Sequence, residues 1–196
     1  MKNIFTYLLV ALLLVSPFKI LLPDAAAQSC QWGRTGTGVT CDAFAVATDP
    51  SGNVFGAGWT TGGSSAMTLG TVILPGAPGS YRTMWAKYDN AGTPLWADGT
   101  ISGNTNLNNI ATDPSGNLIV FGAFTSATMQ IGSFTLTNLY TGGLAQYFLA
   151  KISPTGTVLW AIADGNTYPS YSSALGMFIL TMGGVGTDGA GNIYIT

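Results

Sequence analysis

From residue 109 to residue 162 the chain alternates short apolar or β-branched runs with polar, glycine-bearing breaks; the runs are 109–112, 118–124, 147–152 and 158–162. Runs this short, bounded by turn residues, predict β-strands rather than helices. The first pair is joined by DPSGN, Asp113 to Asn117, and the last pair by SPTGT, Ser153 to Thr157. In both, Asp or Ser leads, proline follows with its φ already fixed, and glycine supplies the left-handed position that a three-residue hairpin with a bulge requires. The segments MTLGTVIL at 67–74 and MQIGSFTL at 129–136 fall between the second and third runs of their regions and predict one small hairpin each.

The same pattern occurs more than once. ATDPSGN occupies 47–53 and again, unchanged, 111–117, an offset of 64; AKYDNAGTPLWA at 86–97 lines up with AKISPTGTVLWA at 150–161 at the same offset. Trp32, Trp96 and Trp160 fall at that interval, so Gln31 and Trp32 read as the tail of a repeat whose front lies elsewhere. GTDGAGNIYIT at 186–196 matches ATDPSGNLIVF at an offset of 75, with about eleven residues inserted after Asp164. The order is tail, repeat, repeat, front. Four antiparallel strands per repeat, stacked through their apolar faces, predict propeller blades, and the inserted hairpins account for a period longer than the roughly 40 to 50 residues of familiar blades.

Composition points the same way and removes several functions. All eight carboxylates are Asp, there is no Glu and no His, and glycine, threonine and serine are abundant, a mixture that favours strands and turns over helices. With 22 aromatic side chains and only 7% charged residues, disorder is not expected. A net charge of -2, with no cationic stripe, excludes a counterion-releasing nucleic-acid binder.

The beginning of the chain reads as a secretory signal over residues 1–27: Lys2, an apolar run from Ile4 to Val15, then Ala25, Ala26 and Ala27 before Gln28. A membrane anchor is the alternative, but Pro17, Lys19 and Pro23 interrupt the span short of about twenty residues. A lipid-modified Cys30 is a third reading, against which AQSC lacks an aliphatic residue three places earlier. Removing 1–27 leaves a mature chain of 28–196 with Cys30 and Cys41 as its only cysteines. In an oxidising compartment these two are expected to pair, closing a short loop worth at most roughly 3 kcal/mol; the alternative is two free thiols.

Little catalytic chemistry is encoded. Without His or Glu, most triads, metalloprotease sites and carboxylate pairs are excluded. Asp49, Asp113 and Asp188 share one repeat position ahead of a turn and are expected to cap it, with Gly52, Asn53, Gly116 and Asn117 as the other fixed turn positions. No DxDxDG-like cluster supports calcium, and two Cys with Asp make a poor zinc set, so no metal or cofactor is expected. GVGTDG at 184–189 fits a dinucleotide pattern, but it aligns with a hairpin turn, not with a strand-to-helix junction. Trp32, Trp96 and Trp160 are expected to pack between blades. Trp59, Trp85, Tyr81, Tyr140, Tyr168 and Tyr171 repeat less strictly, and those near the inserted hairpins or the loop 165–184 are the candidates for a binding surface.

DPSGNVFGAGWT at 49–60 followed by WAKYDNAGTPLW at 85–96 resembles the SBBP-type β-propeller repeat of exported bacterial proteins, across essentially all of 28–196. The resemblance implies a secreted or cell-surface protein similar to those of Bacteroidota, where such arrays often accompany adhesion modules or a type IX secretion sorting domain, and it brings no catalytic residues. The expected fold is therefore all-β: an incomplete β-propeller over 28–196, with repeats at 42–99 and 106–163, a partial third from 182 and an N-terminal closing strand. Closing a propeller takes about four blades, or about 256 residues at this period, so a piece of a longer protein is expected. The expected function is a non-enzymatic scaffold or binding module for a glycan or a cell-surface protein, with no nucleic acid and no stable membrane span. The alternative is the propeller portion of an exported enzyme whose catalytic residues lie in missing sequence.

Overall fold

The computed structural model describes residues 33–34, 36–63, 65–140, 144–163, 171–172, 177–178 and 183–196. The expected signal segment, Cys30, Trp32, Tyr168 and most of the loop 165–184 lie outside these residues. Among the described residues the regular structure is all-β, and no helix is long and apolar enough to cross a membrane.

Six strands come first: β1 (Cys41–Thr48), β2 (Val54–Gly63), β3 (Met67–Leu69), β4 (Val72–Leu74), β5 (Ala77–Tyr88) and β6 (Pro94–Gly99). β1, β2, β5 and β6 form an antiparallel sheet in that order, and β3–β4 is a separate hairpin inserted before β5. The next six are β7 (Thr105–Thr112), β8 (Leu118–Phe124), β9 (Thr128–Ile131), β10 (Phe134–Thr137), β11 (Gln146–Ile152) and β12 (Val158–Ala163). They repeat the arrangement, with a β7-β8-β11-β12 sheet and a β9–β10 hairpin. β13 (Tyr171–Ser172) pairs with β14 (Met177–Phe178), and β15 (Val185–Thr187) with β16 (Ile193–Ile195). Among the described residues no sheet closes on itself.

Burial follows from strand alternation. β8, with the sequence LIVFGAF, is buried along its whole length because both of its faces are covered. Leu118, Val120 and Phe124 join Phe55, Ala57 and Trp85 of the first sheet in the largest apolar cluster, while Phe121 and Ala123 turn the other way and meet Val185. On the first sheet, Met84, Ala86 and Tyr88 face away from that cluster and pack on Met67, Leu69 and Leu74 of the β3–β4 hairpin. At about 1.5–3 kcal/mol for each large apolar side chain buried, these contacts explain why each sheet needs both a neighbour and an inserted hairpin.

Each four-stranded sheet carries a bulge in its first strand, at Ala43/Ala45 and Leu107/Asn109, opposite Gly58 and Gly122. A Cβ on Gly58 would lie 1.8 Å from the Asp42 carbonyl oxygen, and one on Gly122 would lie 2.5 Å from that of Asn106. Only glycine lets the bulged backbone approach its partner this closely.

Candidate functional site

Five of the hairpin turns share one geometry. In the turn at Asp49, its N–H donates to the Asn53 carbonyl and its own carbonyl accepts from Gly52, whose φ is +81°. The same backbone pair recurs at Asp89, Asp113, Ser153 and Asp188, with Gly92, Gly116, Gly156 and Gly191 in the left-handed position. Asp49 Oδ1 accepts from the Ser51 and Asn53 N–H groups while Oδ2 accepts from Asn53 Nδ2; Asp113 does the same with Ser115 and Asn117, and Asp188 with Ala190 and Asn192.

Two of these carboxylates also hold a lysine. Lys87 Nζ lies 3.0 Å from Asp49 Oδ2, and Lys151 Nζ lies 2.7 Å from Asp113 Oδ2. Burial pushes both carboxyls up, but the Asn and Lys hydrogen bonds and the lysine charge outweigh it and hold each below the ordinary aspartate value. Asp188 has a tyrosine in place of the lysine. Its carboxyl falls to about 2, chiefly through the Asn192 side chain and backbone, with Tyr194 Oη donating at 3.0 Å. Each of these carboxylates thus accepts from its own turn and from its lysine or tyrosine.

The lysines were missed in the sequence although a signal was present. Only four Lys and Arg lie beyond residue 27, and two of them, Lys87 and Lys151, stand at the repeat offset inside the repeated string.

Residues at matching positions join successive sheets. Thr112 Oγ1 donates to the Thr48 carbonyl and Thr187 Oγ1 to the Thr112 carbonyl, each at 2.6 Å. The exit from the first sheet bridges the β9–β10 hairpin at Ser102 and Gln130, and the segment ahead of β1 bridges the β3–β4 hairpin at Thr37 and Thr68. Trp96 stands edge-on to Phe55, donates from Nε1 to the Pro154 carbonyl at 3.1 Å and lies against Gly156, so it fills the seam between the two sheets. Trp160 takes the corresponding place on β12, opposite Lys151, and is half-buried.

The exposed, non-repeating chemistry gathers where β2 ends and β5 begins. Trp59 stands edge-on to Tyr81 at 5.4 Å, and Tyr81 is half exposed. Trp85, a third candidate of this group, is fully buried in the core and cannot meet a ligand. Tyr140 is half-buried, and the Tyr171 side chain lies outside what the structure describes. On the opposite face of β5, Arg82 is buried and donates from Nη1 to the Pro75 carbonyl at 2.6 Å, while its buried Nε has no partner among the described residues. Burial lowers the Arg82 pKa, partly offset by the Asp98 charge; burial raises that of Asp98, partly offset by the Gly99 N–H and by Arg82. Cys41 is half-buried, and its thiol is pushed up by burial and then by Asp42. A pairing with Cys30 lies outside the described residues.

Among the described residues no three His, Cys, Asp or Glu side chains gather to hold a metal ion. No family profile matches the chain, and no curated protein is significantly similar to it.

Proposed function

We propose that the chain is a repeat-built binding scaffold, part of an exported β-propeller, that acts by presenting loops and not by catalysis. The observation that carries this reading is the threonine series Thr48, Thr112 and Thr187. One bond type joins β1 to β7 and β7 to β15, a regular succession that supports the blade reading. The repeated Asp and Lys side chains are consumed in holding turns and seams. What departs from the repeat, namely Trp59, Tyr81 and Arg82, lies at one end of the first sheet, where a rigid scaffold offers ligand contacts. A glycan or a cell-surface protein is the proposed partner, and the signal-like residues 1–27 and the SBBP resemblance support a secreted or surface location.

The test is a glycan array probed with the full chain, alongside a hydrolase panel. Binding that is lost in Trp59→Ala and Tyr81→Ala is the expected result. A silent array with hydrolytic turnover would overturn the scaffold reading in favour of an enzyme.

A further inference from the structure

The repeat picks out side chains that the fold does not call for. At the offset of 64, Asp42, Trp59 and Tyr81 have Asn106, Ala123 and Ala145 as counterparts. The register is kept, since Asp42 pairs with Trp59 as Asn106 pairs with Ala123. Both alanines are buried in the cluster that Val185 of the next unit joins, so this end of a sheet forms without large rings. An acid and two aromatic rings therefore stand where the other copy has an amide and two alanines. Arg82, the third departure at this end, serves the fold. Its Nη1 donates to the Pro75 carbonyl, a strut that the second sheet makes with the direction reversed, from Leu139 N–H to Gln146 Oε1 at 2.7 Å.

Strand alternation puts the acid and the rings on one face. Residues directly opposite in an antiparallel pair point the same way, with Cβ atoms about 5 Å apart, so Asp42 stands beside Trp59. Tyr81 pairs with Thr61, two residues along β2 from Trp59, and meets the Trp59 ring at 5.4 Å. Because the ring planes cross at 74°, the pair encloses a corner and not a flat wall. Tyr81 is half exposed and Asp42 exposed, and among the described residues the Asp42 side chain makes no hydrogen bond or ion pair. The Tyr81 N–H donates to Asn104 Oδ1 at 3.3 Å, which draws Asn104 to the corner, and no bond to a described residue engages its Nδ2. The four basic residues beyond residue 27 are occupied elsewhere: Arg34 on the Gly92 carbonyl, Arg82 in its strut, and Lys87 and Lys151 on Asp49 and Asp113.

Aromatic rings left partly in water offer their faces to the C–H groups of a sugar ring. A carboxylate only accepts, so it suits a pair of hydroxyls, and it repels a ligand of its own sign. We propose that this corner is a glycan-binding site selective for uncharged sugars, in which Trp59 and Tyr81 meet the apolar face of a pyranose, Asp42 accepts from two of its hydroxyls and Asn104 Nδ2 donates to a third oxygen. The proposal rests on the reading of the chain as a glycan-binding scaffold and adds to it the role of Asp42 and the selection by charge.

The experiment is a glycan array probed with the full chain and scored on matched pairs: galactosyl glycans against their sialylated and sulfated forms, and β-glucans against polyuronates. The uncharged member of a pair should bind at least about tenfold more tightly than the acidic one. Asp42→Asn, an exposed change whose folding is checked by its thermal transition, should weaken the uncharged ligands about tenfold and narrow the gap to the acidic ones. Tyr81→Ala should abolish binding to both. Equal binding within pairs, a preference for the acidic members, or an Asp42→Asn affinity within about twofold of the parent would overturn the proposal and leave the glycan reading standing. Binding that survives Tyr81→Ala would put the glycan elsewhere on the chain and overturn this site. A silent array would remove the glycan reading itself, and this site with it.

Discussion

The two lysine–aspartate pairs are chemical copies in different surroundings. Lys87 is 6% exposed, lies 5.0 Å from the centre of the Phe55 ring and reaches across to the Pro154 carbonyl of the second sheet at 3.3 Å. Lys151 holds Asp113 at the shorter distance, yet it is 23% exposed and makes no bond across a seam among the described residues. Among the described residues, a neighbouring sheet roofs the first pair and none bonds to the second. What a repeated residue contributes therefore depends on which side its neighbour stands, a property of stacking that no single repeat contains.

The widest separation should come from cutting each pair. Lys87→Ala strands the Asp49 carboxylate and should cost about 3–5 kcal/mol in chemical denaturation, whereas Lys151→Ala should cost less, because removing the more exposed Lys151 opens a path for water to the equally buried Asp113. Equal losses would erase the contrast. Acid acts on both pairs together. Asp49 and Asp113 titrate below the ordinary value in the folded chain, so their contribution is complete above the unfolded value of about 3.9 and is lost as pH falls through the folded pKa. Thermal stability should therefore drop below about pH 4, and Asp49→Asn and Asp188→Asn should each flatten that drop. The tryptophans offer a finer test: Trp96→Phe removes the bond to Pro154 and should cost about 1 kcal/mol, while Trp160→Phe should stay within about 0.5 kcal/mol. The smallest change is Thr112→Val, which keeps the shape but deletes the donor to Thr48 and should cost about 0.5–1 kcal/mol, measured by denaturant midpoint.

Legibility in the sequence followed distance along the chain. The hairpin turns were readable because Asp, Pro and Gly act within five residues, and the runs 118–124 and 147–152 lie almost on β8 and β11. The inserted hairpins were visible too, since 67–74 covers β3 and β4. The Arg82–Pro75 strut and its inversion at Gln146–Leu139 were not, because each joins an insert to a strand and the two copies share no residue type. Trp85 read as a loose aromatic near a loop. It is buried in a cluster shared with Leu107, Leu118 and Phe148 of the second sheet, which a single-repeat reading does not bring to it.

The threonine series bears on how such a chain can change in length over generations. Thr112 meets Thr48 across 64 residues and Thr187 meets Thr112 across 75, with the same bond and the same 2.6 Å. The eleven extra residues leave the phase of the stack untouched because they enter between sheets and not within the series. A gene can thus lengthen a connection, or gain or lose one whole unit by unequal crossing-over, and each new junction still finds a hydroxyl on one side and a carbonyl on the other. The unit of inheritance and the unit of assembly share a boundary, so copying errors in multiples of the repeat are the ones this architecture absorbs.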